Sequence, residues 1–105
     1  MVSEEAIAVP HPRPLTPWHI VIAPRRHVAV FYDLDVQEQH MVWNMMGEIR
    51  NRIASSVKVE GFHLGFEDGS TDNESTAHTL VHVVPRTAGT PLRLPAGIEW
   101  VDGSQ

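Results

Sequence analysis

The sequence predicts an α+β fold in which one long helix packs against an antiparallel sheet. Three observations carry this. A single stretch, from Asp35 to about Ala54, repeats apolar side chains at helical spacing. Several shorter segments are β-branched or alternate with a period of two. Two of the alternating segments, 61–67 and 78–84, are joined by one polar loop, and their simplest arrangement is an antiparallel hairpin. A helix that buries one stripe and a sheet that buries one face cover each other, giving a two-layer domain.

The elements follow in order. Ala6-Ile7-Ala8-Val9 suits a short strand, ended by Pro10-His11-Pro12-Arg13-Pro14, where alternating prolines force extended or turn geometry. His19-Ile20-Val21-Ile22-Ala23 suits a central strand stopped by Pro24, and residues 28–32 suggest a further short strand. Asp35 with Glu38 three residues later reads as an N-capping box. Beyond it, Val42, Met45, Ile49 and Ile53 form the apolar stripe, with Met41 and Met46 as core or interface filler. In 61–67, Phe62, Leu64 and Phe66 share one face; 68–77 is a polar loop; Ile98–Val101 is a last apolar piece in a Gly- and Pro-rich tail.

The bulk numbers narrow the function classes. A chain of 105 residues with 42% apolar and 20% charged residues suits one globular domain, with its core over about 6–101. So small a core predicts stability shared with a partner subunit. A net charge of −5 argues against a nucleic-acid partner, which needs a basic face. With no cysteine there is no disulfide or thiolate metal site. No apolar run approaches the ~20 residues of a membrane span, and the acidic start is unlike a signal peptide, so a cytoplasmic protein with no membrane partner is expected.

The richest segment chemically is His78-Thr79-Leu80-Val81-His82-Val83-Val84-Pro85-Arg86. On a strand His78, Leu80 and His82 face one way, and Thr79, Val81 and Val83 the other. The second set reads as a buried seam and the first as an imidazole-bearing face. This segment resembles the signature of the histidine triad (HIT) family, His-φ-His-φ-His-φ-φ running into Pro-Arg. The segment Pro14–Val28 is similar to the family's earlier Pro-Val-x-Pro-Gly-His motif and the Pro-Lys-Arg-His that follows it. Asp33-Leu34 and Asp68-Gly69 also match, and Gly97–Val101 is similar to the tail of bacterial members.

The resemblance implies a HIT-like homodimer whose sheets join into one, with a nucleotide phosphate held against the triad strand and no cofactor. The middle histidine would attack the α-phosphorus, and the nucleotidyl-imidazole would then be hydrolysed. Leu80 occupies that middle position here. His78 and His82, the triad flanks, each lie about 6.6 Å along the strand from it, too far for in-line substitution. The implied ligand-facing residues are His11, His19, Val21, His63, Glu67 and Glu74. Several depart from the family pattern. His11 replaces an asparagine, and Asn73-Glu74 replaces a Gly-Gln pair. Glu67 stands where the family has an amide that donates to phosphate. Trp18 replaces a glycine and is expected to crowd the pocket mouth.

His27 and His40 read as surface residues. If Glu67 pairs with His78, then His63 falls opposite His82, and the two rings, with His78 and Glu67, could hold a divalent cation. Three functional readings remain open. One is a HIT protein that binds a nucleotide or other small phosphate ligand with weak or absent hydrolase activity. Another is an active hydrolase of phosphoramidates or dinucleoside polyphosphates using a relocated histidine. The third is a structural or partner-binding module with a vestigial or metal-binding pocket.

Overall fold

The computed structural model describes residues 1–69, 78–89, 94 and 98–102. Strand β1 spans Ala6–Pro10, β2 Ile20–Pro24, β3 Gly61–Glu67, β4 Leu80–Arg86 and β5 Ile98–Asp102, with helix α1 at Val36–Ser56. The strands form one sheet in the order β1-β2-β4-β3-β5, and every neighbouring pair is antiparallel.

Helix α1 starts as its sequence dictates. The Glu38 N–H donates to Asp35 Oδ1 at 2.7 Å and the Asp35 N–H donates to Glu38 Oε1 at 2.9 Å, a complete capping box. Its stripe of Val42, Met45, Met46, Ile49 and Ile53 is buried against one face of the sheet, where it meets Ala6, Ala8, Ile22, Phe62, Val81 and Val83. This inward set follows the side-chain alternation of β1 to β4, so the opposite set, including Val21, Gly65, Glu67, Leu80 and His82, lies on the other face.

The structure departs from expectation over residues 28–32. Instead of a strand there is a 3-10 turn at Phe31–Asp33. The carbonyls of Val28, Ala29 and Val30 accept from the N–H groups of Thr79, Gly69 and Asp33, respectively. Those backbone acceptors are spent on loop closure rather than on a sheet ladder.

The hairpin register differs from expectation too. Thr79 is drawn towards Val28, and pairing with β3 begins only at Leu80, opposite Glu67. The register is displaced by two residues from the expected one. His63 faces Val84, and His82 faces Gly65. The expected pairing of His63 with His82, and of Glu67 with His78, is thereby corrected. A shift of two preserves which face each side chain occupies but changes its neighbour.

Candidate functional site

On the sheet face away from α1, one cross-strand row runs Val9, Val21, His82, Gly65, Trp100 through all five strands. The next row places Leu80 opposite Glu67, and Glu67 opposite Ile98. The loop from His11 to His19 folds back onto this face. It is pinned by His11 N–H to His19 O at 2.9 Å and by buried Thr16 Oγ1 donating to Pro85 O at 2.8 Å.

The loop delivers two imidazoles to His82. His19 Nε2 lies 2.9 Å from His82 Nδ1, and His82 Nε2 lies 2.7 Å from Glu67 Oε2. His11 stacks on His19 with centroids 4.4 Å apart and planes 12° from parallel. His19 and His82 are 2% and 4% exposed, whereas the Glu67 side chain is 35% exposed.

One backbone contact fixes where the protons sit. The Leu15 N–H donates to His19 Nδ1 at 3.1 Å, so that nitrogen keeps its lone pair. A neutral His19 must then carry its proton on Nε2 and donate it to His82 Nδ1. His82 in turn carries its proton on Nε2 and donates it to the Glu67 carboxylate. The chain runs in one direction, from backbone amide through two neutral rings to an anion. Burial, reinforced by the neighbouring His11 and His82, lowers the His19 pKa to about 4, in keeping with a neutral ring.

The same logic bears on metal binding. One ring nitrogen from each of His11, His19 and His82 lies within 4.8 Å of the others, which is ligand-like spacing. A ligating histidine normally donates its second ring N–H to a carboxylate or carbonyl. His11 and His19 do the reverse: their Nδ1 atoms accept from the Arg13 N–H at 2.9 Å and the Leu15 N–H. Their Nε2 atoms therefore bear protons, and a cation would have to displace these and strand two backbone donors. The proton arrangement disfavours a cation at this cluster.

The remaining expected residues scatter. His78 Nε2 donates to Pro24 O at 3.0 Å, and its ring stacks on exposed His27 with centroids 4.6 Å apart. His63 lies outside the cluster, its Nε2 3.4 Å from Arg86 Nη1. Val21 is buried beside His82. Exposed His40 lies on α1. Asn73 and Glu74 lie outside the described residues. Trp18 does not crowd this face. It has φ +72° and lines a groove on the helix side with Ile20, Ile49 and Ile53. Its backbone is in the left-handed region that favours glycine, and its side chain lies on the helix side.

Sequence reasoning missed Trp100, whose ring centroid lies 6.1 Å from that of His82. The signal was Gly65, a glycine inside an alternating strand, which marks close approach of another group.

The HIT domain family model matches residues 1–89. The chain belongs to the HIT family.

Among curated HIT relatives, it is 29% identical to the bifunctional bis(5'-adenosyl)-triphosphatase/adenylylsulfatase FHIT of Arabidopsis thaliana over 77 residues, which are 73% of this chain and 43% of that one. It is 24% identical to the bis(5'-adenosyl)-triphosphatase of Dictyostelium discoideum, over 80% of this chain and 56% of that one. The chain thus spans about half the length of these relatives. Among solved structures, the Plasmodium falciparum diadenosine triphosphate hydrolase superposes with a TM-score of 0.69 at 20% identity, covering 90% of this chain and 63% of that one. A zinc-bound histidine triad family protein from Mycobacterium smegmatis gives a TM-score of 0.63 at 24% identity, covering 92% of this chain and 73% of that one. These likenesses establish the HIT fold.

Proposed function

We propose that this HIT protein recognises a nucleotide but does not form a nucleotidyl-histidine intermediate. The observation that carries the reading is Leu80, on the same sheet face as His82 and directly opposite Glu67. An aliphatic side chain has no lone pair to bond phosphorus, so the covalent step has no acceptor. Nucleotide recognition is supported by the kinship with bis(5'-adenosyl)-triphosphatases and by half-buried Leu80 and Trp100, which offer apolar and aromatic surface beside the partly exposed Glu67 carboxylate. Assembly as a homodimer belongs to the same proposal.

The rival reading, hydrolysis through a relocated histidine, finds less support. Both nitrogens of His82 are engaged, His78 Nε2 is tied to a backbone carbonyl, and His63 Nε2 faces Arg86.

The deciding experiment incubates wild type, Leu80→His and His82→Ala with diadenosine triphosphate and with adenosine phosphoramidate. Wild type is expected to release no more product than His82→Ala. Product formed by wild type above that control overturns the proposal. Hydrolysis gained by Leu80→His would show that the missing nucleophile is the main lesion. A saturable equilibrium titration of wild type with adenosine nucleotides supports recognition, and its absence favours a partner-binding module instead.

A further inference from the structure

We propose that the site prefers an uncharged nucleoside to its 5'-phosphorylated form, with Glu67 accepting a hydrogen bond from the ligand. This rests on the nucleotide-recognition reading above and specifies which part of such a ligand the site takes.

The first observation is the register. Leu80, not His78, is the direct cross-strand neighbour of Glu67, and such neighbours have Cβ atoms roughly 5 Å apart. A carboxylate thus stands beside the place where the chemistry of the HIT fold would put phosphorus. The second is the direction of the hydrogen-bond chain. With Leu15 donating into His19, His19 into His82 and His82 into Glu67, neither ring is an imidazolium, and neither has an N–H left for a phosphate oxygen. The third is the end of the chain. Glu67 uses Oε2 for His82, Oε1 has no hydrogen bond among the described residues, and the side chain is one-third exposed. What this wall offers a ligand is an acceptor.

An ionised carboxylate only accepts, so it rewards a hydroxyl or amino group and repels a phosphate. At about 5 Å and an effective dielectric near 20, the repulsion between single charges corresponds to roughly a few hundredfold in affinity, and salt reduces it. The surroundings suit a neutral ligand: half-buried Leu80 beside Glu67, and half-buried Trp100 beside His82.

The test is calorimetric titration of the full chain with adenosine and with AMP, in wild type and Glu67→Gln. Glutamine keeps an acceptor for the His82 N–H while removing the charge, so the hydrogen-bond chain survives. Wild type is expected to bind adenosine at least about tenfold more tightly than AMP. In Glu67→Gln the gap should close or reverse, mainly through tighter AMP binding. Wild type binding AMP as tightly as adenosine overturns the inference while leaving nucleotide recognition intact. A gap unchanged in Glu67→Gln overturns the role of the carboxylate. If neither compound binds, the recognition reading fails and this inference with it.

Discussion

Trp100 lies directly over Gly65. A Cβ on that glycine would fall 2.6 Å from the indole Cε3 and 2.6 Å from Ile98 Cγ2, inside any allowed contact. The glycine is therefore the seat for β5, and through it for the aromatic ring beside His82. Gly65→Ala is expected to destabilise the fold by about 1–3 kcal/mol, the usual cost of overpacking, or to release β5 from the β3 edge. Urea unfolding measures the first outcome. A red shift in tryptophan emission reports the second, because a displaced Trp100 enters water. Unchanged stability together with unchanged emission would refute this packing.

Trp18 carries a different kind of cost. A bulky residue at φ +72° occupies the left-handed region, which is strained by about 1–3 kcal/mol, and its side chain is still 55% exposed. Trp18→Gly relieves the strain, partly offset by a gain in unfolded-state entropy and a loss of apolar contact, so a net stabilisation of about 1 kcal/mol is expected. Trp18→Ala keeps the Cβ and should show no comparable gain. Denaturant midpoints for both variants check the difference.

The buried His19 ring makes stability depend on pH. Its pKa is about 4 in the folded chain and 6.5 as the reference value, so the unfolded chain takes up this proton first as pH falls. The neutral ring's contribution is fully present above about pH 6.5 and is lost as pH falls towards 4. The change amounts to at most about 3 kcal/mol. His19→Gln should flatten that part of the profile. Urea midpoints between pH 7 and 4 for both proteins provide the measurement, and parallel profiles would exclude His19 as the cause.

Metal binding at the histidine cluster is expected to be absent. Two of its three rings receive backbone N–H donors where a metal site would have them donating. Titration with zinc should give no saturable heat that disappears in His82→Ala, and chelator should leave the thermal midpoint unchanged. Specific heat lost in that variant would mean that the loop from His11 to His19 rearranges to admit the ion.

Much of the fold was legible along the chain because short-range physics writes it there. The Asp35–Glu38 capping box and the stripe through Val42, Met45, Ile49 and Ile53 encode the helix by spacing alone, and all four stripe residues are buried. Alternation in 61–67 and 78–84 assigned each side chain to a face. Leu80, Glu67 and His82 duly share the face away from the helix.

Which residue meets which was decided elsewhere. Side-chain alternation has a period of two, so it cannot distinguish a hairpin register from one displaced by two residues. The tertiary structure made that choice: the Thr79 N–H goes to Val28 O, outside the β3 ladder, and pairing begins with Leu80 against Glu67. The proton order of the site likewise hangs on one long-range fold-back, in which the His11–His19 loop carries the Leu15 amide to His19 and His19 to His82. The chain by itself therefore determined the helix, the strand faces and the leucine at position 80. Only the tertiary structure decided the neighbours and the direction of the hydrogen bonds, because those depend on backbone groups far apart in sequence.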